Sequence, residues 1–167
     1  MAAIDYAIVP ATLDHAGHVA AFLRAADAAE VFASHGLDAQ SACRLSVVQS
    51  VEAWAGLADG EPVCLFGVAP VSLVDGEFSP WMLGAKALDR HAGAFLRRNR
   101  AMVSKWRRTY PVLFNQVDAR NRASIRWLRW LGFEIGPPQP SGILGLPFHT
   151  FTCARIDPCA SPLLPSE

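Results

Sequence analysis

The stretch Pro111–Phe133, PVLFNQVDARNRASIRWLRWLGF, constrains the fold more tightly than any other part of the chain. Val112-Leu113-Phe114 opens a short apolar run that predicts a buried strand closing at Val117. Asp118-Ala119-Arg120 form a connection, and Asn121 stands where a helix N-cap belongs, its side-chain oxygen able to accept an orphan backbone N–H. Ile125, Leu128 and Leu131 then recur at helical spacing, and Gly132 occupies the left-handed stop position. The unit is a strand, a connection, and an Asn-capped helix ending in Gly-Phe.

At 167 residues the chain has the length of one ordinary domain with a real core, expected over 1–157 and followed by a loose tail over 158–167. Residues of hydrophobic type make up 51%, which argues against disorder over most of the chain. No apolar run approaches a membrane span, and Met1–Val9 lacks the basic-then-apolar form of a signal peptide. A cytoplasmic protein is the expectation. Cys43, Cys64, Cys153 and Cys159 form no CxxC pair and no metal-ligand spacing, so buried reduced thiols are expected and no metal.

The formal net charge of zero hides an asymmetry. Residues 1–85 carry two basic residues, Arg24 and Arg44, against ten acidic ones. Residues 86–129 carry twelve basic residues against two acidic ones, Asp89 and Asp118. The two halves must face different surfaces or different partners. A basic segment holding two helix starts suits a polyanion such as a phosphate-bearing cofactor, with nucleic acid as the rival.

Taken in order, Ile4–Val9 predicts a first strand ended by Pro10, and Thr12 or Asp14 caps a helix over 15–28. Asp27–Asp38, interrupted by Gly36, is expected as a loop that begins with a last helical turn. A second helix opens at Asp38 or Ser41, carries Leu45, Val48, Val51 and Trp54 on one side, and ends near Gly56. Strands are expected over Pro62–Val68, Pro70–Leu73 and Trp81–Leu88, with turns at Asp59-Gly60 and Asp75-Gly76. A basic helix spans Ala94–Arg108, Gly136–Gly145 is a Pro/Gly-rich loop, and Phe148–Arg155 alternates as a last strand. The order β-αα-βββ-αβαβ argues an α+β fold with a mixed sheet, a mixed α/β sandwich.

That order, with Asn121, Ala123-Ser124, Ile125, Leu128 and Gly132-Phe133 in their places, resembles the GCN5-related N-acetyltransferase (GNAT) superfamily over roughly residues 4–155. The resemblance implies a sheet splayed between its fourth and fifth strands, with acetyl-CoA entering the gap. It makes Gly84, Ala85, Lys86 and Leu88 part of the backbone ladder for the pantetheine arm. It makes Arg90–Phe95 the phosphate loop, with Arg90, Gly93 and Ala94 at the cofactor. Arg90 and Gly93 match the family's loop pattern, whereas Phe95 stands where a Gly or Ala is usual. Arg97 or Arg98 is expected to meet a phosphate through charge-assisted bonds, and Asn121 and Ser124 to lie beside the arm. A narrower pattern is a Leu65-Phe66-Gly67-Val68 strand, Phe95-Leu96-Arg97, and Asn121-x-x-Ser124-Ile125-Arg126-Trp127-Leu128. It resembles small GNAT-like proteins of tailed phages, some of them labelled internal virion proteins, which places the chain in host cytoplasm or virion.

The implied activity is transfer of an acetyl group from acetyl-CoA to an amine of a protein or small molecule by direct attack. Partners are then the cofactor and that amine, no membrane, nucleic acid ranked below the cofactor, and homodimerisation left open. Two features depart from the family. Leu128 occupies the place where many members carry a Tyr thought to protonate the leaving thiolate, so a water, Ser124 or Tyr110 substitutes, or the thiolate leaves unassisted, or the chain does not catalyse. A fourth-strand carboxylate is also missing; Glu30 stands first as general base, ahead of His35, Asp27, Glu77 and His149. Trp127 and Trp130 are expected in the core. The rival readings are a non-catalytic binding or virion module on the same fold, and a nucleic-acid-binding domain.

Overall fold

The computed structural model describes residues 4–155; the expected tail over 158–167 and Cys159 lie outside the described residues. The unbroken apolar run Val63–Val68 forms the middle of β3 (Glu61–Ser72) and is buried on both faces. Phe66 and Val68 face one core cluster and Leu65 faces another, so helices must cover both sides of the sheet. Around β3 lie β2 (Glu52–Ala58), β1 (Tyr6–Pro10) and β4 (Glu77–Gly84); beyond β4 come β5 (Val112–Asp118), β7 (Leu146–Ala154) and β6 (Glu134–Ser141). The seven strands run in the order β1-β2-β3-β4-β5-β7-β6. Every neighbouring pair is antiparallel except β4 and β5, which are parallel. The result is the expected mixed α+β sandwich.

One face is covered by α1 (Leu13–Ala21) and α3 (Ala39–Gln49), whose Ala16, Val19, Ala20 and Cys43 pack on Ala55, Leu65 and Leu83. The other is covered by α4 (Leu88–Thr109) and α5 (Arg122–Trp130), which contribute Phe95, Val103, Trp106, Ile125 and Leu128. Cys43, Cys64 and Cys153 are buried thiols. No helix among the described residues is long and apolar enough to cross a membrane.

The central βα unit forms as its residues predict. The Asn121 Oδ1 accepts the Ser124 N–H at 3.2 Å, closing the start of α5. At the other end Gly132, at φ +91°, donates to Arg129 O, and the Phe133 N–H reaches back to Leu128 O. That pair of bonds is a Schellman stop, and Phe133 turns inward beside Leu128 in the same core.

Elsewhere the tertiary structure corrects the expected elements. Asp27–Asp38 is not a loop: α2 (Ala25–His35) is a separate helix, ended by Gly36 at φ +69°. The break falls earlier, at Phe22–Arg24, where Leu23 bridges Ala85. The second predicted helix stops at Gln49, and Glu52–Gly56 belong to β2, because β1 and β3 leave a strand-wide place between them. Pro62–Val68 and Pro70–Leu73 are one strand with a register shift between Pro70 and Ser72. The expected Gly136–Gly145 loop is mostly β6, whose prolines sit on a sheet edge where a missing N–H breaks no ladder. The observed order therefore carries one helix and one strand more than expected.

Candidate active site

Strands β4 and β5 pair only at their beginnings, Glu77 with Val112 and Phe78 with Leu113. Beyond that point they separate, with the Asn115 amide donating across to Pro80 O at 3.0 Å. Pro80 has no N–H to continue a ladder. The gap opens into a cleft of about 340 Å³ that passes through the sheet. Val31, Leu45 and Trp81 line it toward α2 and α3, and Val103, Trp127 and Leu128 toward α4 and α5.

The Ala85 N–H donates to Val63 O, which fixes the phase of the β3–β4 ladder. By alternation Trp81 and Leu83 spend their backbone groups on β3, while Met82 and Gly84 turn theirs to the split. At Gly84 both groups are engaged: the N–H donates to Asp27 Oδ2 at 2.7 Å and the carbonyl accepts from the Arg24 N–H. Met82 is left as the ladder residue open to the cleft.

The open strand edge thus lies several residues N-terminal to the expected ladder Gly84–Leu88. Gly84 ends β4, Ala85 is buried against Leu23, the Lys86 N–H donates to Phe22 O, and Leu88 already begins α4. The expected phosphate loop is helical as well. Arg90, Gly93 and Ala94 lie in the first two turns of α4, and the N–H groups of Leu88, Asp89 and Arg90 turn back onto the carbonyls of residues 85–87. Buried Leu88 and Phe95 draw this segment onto the sheet, and a single Gly93 costs a helix only about 1 kcal/mol.

Arg97 and Arg98 part company. Arg98 stacks over the Tyr6 ring at 5.3 Å. Arg97 lines a groove of about 400 Å³ between α4 and α5, together with Gly93, Arg126, Trp127 and Trp130. Trp130 is not in the core; it is 44% exposed, with Arg100 over its ring at 4.7 Å.

Helix α2 carries Asp27 and Glu30 one turn apart and straps the open end of the split. Asp27 holds the end of β4, bonded also to Arg24, while Glu30 holds the end of β5. The Glu30 Oε2 accepts from the Asp118 N–H at 3.3 Å and from Asn121 Nδ2 at 3.4 Å. Burial pushes the Glu30 carboxyl up to about 7, against the pull of those two donors and with the charges of Asp27 and Asp118 adding to the rise. Glu30, Ser124, Leu128 and His35 all line the cleft.

Tyr110 does not. Its hydroxyl donates to Glu52 Oε1 at 2.8 Å, in a cluster that also brings Lys105 and Trp106 to Glu52. Burial, and then that carboxylate, hold its phenol well above the usual range. Glu77 sits at the closed end of the split, and the His149 ring bonds Gly136 O at 2.7 Å outside it. Asn99 went unnoticed in the sequence, although it interrupts the buried apolar stripe Phe95, Val103, Trp106 of α4 and lines the cleft. A polar residue at a stripe position was the available signal.

No protein-family model and no curated protein sequence matches the chain. Solved structures do match in three dimensions. A GNAT-family acetyltransferase from Streptococcus pneumoniae superposes with a TM-score of 0.64 at 14% identity, over 90% of this chain and 99% of that one. The fold is that of the GNAT acetyltransferases. A ribosomal L7/L12 alpha-N-protein acetyltransferase in complex with coenzyme A matches with a TM-score of 0.65 at 11% identity, covering 89% and 93% of the two chains. An aminoglycoside acetyltransferase, AAC(6')-Ib, also with coenzyme A, matches with a TM-score of 0.66 at 17% identity, covering 90% and 95%. At these identities the GNAT likeness is one of fold.

Proposed function

We propose that the chain is an acetyl-CoA-dependent N-acetyltransferase that acylates an amine of a protein or small molecule. The observation that carries this reading is the cleft between β4 and β5, which joins an open backbone edge at Met82 to a half-buried carboxyl poised near neutrality, Glu30. The residues present fit the cofactor in the cleft and the α4–α5 groove, and do not fit it at Gly84–Leu88, where the backbone groups are engaged.

When bound, acetyl-CoA supplies an activated acyl group. Met82 offers its backbone N–H and carbonyl to the amide arm, and Arg97 and Arg126 set positive charge in the groove where phosphates would lie. The apolar walls Val31, Leu45 and Trp81 line the α2–α3 side, the side left for the acceptor. Glu30 accepts the proton of the attacking amine, a task suited to a group whose pKa is near the working pH. On α5, where Leu128 has nothing to donate, Ser124 is the hydroxyl in the cleft wall and serves the departing thiolate. The likeness to phage-encoded proteins, a cytoplasmic setting and a homodimer belong to this reading as further proposals resting on sequence pattern alone.

Calorimetric and thermal-shift titration with acetyl-CoA tests it. Binding should raise the melting temperature, by about 2.7 kcal/mol of stability at a hundred times Kd. Reversing charge at Arg97 and Arg126 together should weaken binding and flatten its salt dependence. No shift at millimolar acetyl-CoA refutes the reading, and tight oligonucleotide binding at physiological salt that CoA leaves untouched replaces it with nucleic-acid binding.

A further inference from the structure

The acceptor side of the cleft carries almost no charge. Among the described residues that line the whole cleft, Glu30 is the one acidic side chain, and His35 is the other ionisable group. Val31, Leu37, Leu45 and Trp81 build an apolar wall from α2, the α2–α3 link, α3 and β4. Several polar groups around that wall are already engaged. Trp81 Nε1 donates to Ser50 Oγ at 2.8 Å, which leaves the indole only its ring to present. Ser34 Oγ donates to Glu30 O at 2.7 Å, and both ends of the Asn115 amide are bonded, to Pro80 O and to the Gln116 N–H. The turn between β6 and β7 closes the flank between α2 and β5. Ser141 Oγ donates to Gln116 Oε1 at 2.7 Å and the Leu144 N–H to Ala33 O at 3.4 Å, and residues 141–146, SGILGL, bring no charge.

A polyamine or an amino sugar carries several ammonium groups, and a sugar adds a row of hydroxyls. Each would need a carboxylate or a free polar partner, and an unpaired charge taken out of water costs more than apolar contact returns. This lining matches one ammonium and an apolar body. We infer that the acceptor is a small primary amine of single positive charge, an arylalkylamine, with its nitrogen at Glu30 and its body against Val31, Leu37, Leu45 and Trp81. This rests on the reading of the cleft as an acyl-CoA site. The cleft holds about 340 Å³, near the small end of ligand pockets, and the acyl arm shares it, which leaves room for a small body. In the transfer the amine nitrogen forms a C–N bond as the thioester C–S bond breaks. The proton it gives up to Glu30 balances the one the departing thiolate takes up.

Acetyl transfer to a panel of amines, read as kcat/KM by thiol release, tests the inference. 2-Phenylethylamine should exceed ethylamine by about ten- to hundred-fold, the gain from burying an apolar ring. It should exceed spermidine, kanamycin and a hexapeptide with a free N-terminus by about a hundred-fold or more. Calorimetry on the CoA-loaded protein should show 2-phenylethylamine binding and spermidine not binding, independently of turnover. Leu45 is 37% exposed, so Leu45→Glu adds a second carboxylate to the wall at a position where a helix accepts it. Its preference should move toward spermidine by about ten-fold or more, at wild-type CoA affinity.

Equal or better use of spermidine, kanamycin or the peptide overturns the inference, as does an unchanged preference in folded Leu45→Glu. Firm acetyl-CoA binding with transfer to none of these amines also overturns it and leaves the cofactor site standing. Failure of wild type to bind acetyl-CoA at all refutes the cofactor reading itself.

Discussion

Replacing Glu30 by Gln separates stability from catalysis at one atom. The carboxyl rises from 4.5 to about 7, with burial as the first cause. Between those values the unfolded chain has lost its proton and the folded chain retains it, so stability contributed by Glu30 is complete at low pH and is lost as pH rises through 7. At about 1.4 kcal/mol per unit of pKa, ionised Glu30 weakens the fold by roughly 3 kcal/mol above neutrality. The Gln carbonyl can still accept from the Asp118 N–H and Asn121 Nδ2, so the substitution removes the charge and keeps the bonds. In a chain of this size the gap corresponds to a melting temperature roughly 6–12 °C higher for Glu30→Gln at pH 8. Near pH 5 the two proteins should melt almost together. Asp27, raised in the same direction by its own burial, titrates in both proteins, so the difference between them at each pH is the quantity to read. Acetyl transfer should fall by about 10²–10⁴-fold in the same variant. A stability gap that stays constant between pH 5 and 8 refutes the buried-carboxyl account, and undiminished transfer refutes the role as base.

Two further outcomes concern the proton donor. Tyr110→Phe should leave transfer unchanged and cost about 1.5–3 kcal/mol in a urea melt, because the hydroxyl it removes bonds the Glu52 carboxylate rather than lining the cleft; lost transfer at wild-type stability would return Tyr110 to the reaction. Leu128→Tyr places a phenol in the cleft wall and should raise single-turnover transfer about 10-fold or more at unchanged acetyl-CoA affinity; an unchanged rate means the thiolate needs no acid there.

The strongest local signals survived because they need no distant partner. Asn121 caps its helix with its own side chain, and Gly132 stops it through φ +91°, each through partners close by in the chain. The same locality explains the misses. Val51 and Trp54 continue the apolar spacing of α3, yet the chain turns into β2 because β1 and β3 leave a strand-wide place between them. Prolines marked 136–145 as irregular, although an edge strand such as β6 tolerates them. Arg90–Phe95 carries a loop pattern but folds as helix once Leu88 and Phe95 are buried under the sheet.

The candidate site divides in the same way. Residue type and spacing alone determined that Leu128 offers no proton and that positive charge gathers in two helical segments, whereas the expectation of Glu30 as base came from the family resemblance. Only the tertiary structure decided that Glu30 lies against Asn121 and Asp118, where lost hydration moves its pKa toward neutrality. It also decided that Arg97 faces the groove while Arg98 turns to Tyr6, and that Tyr110 serves Glu52. A cap, a stop or a missing hydroxyl is a property of the residue and its near neighbours. Burial, charge environment and the facing of a side chain depend on which distant segments close around it, and folding sets those.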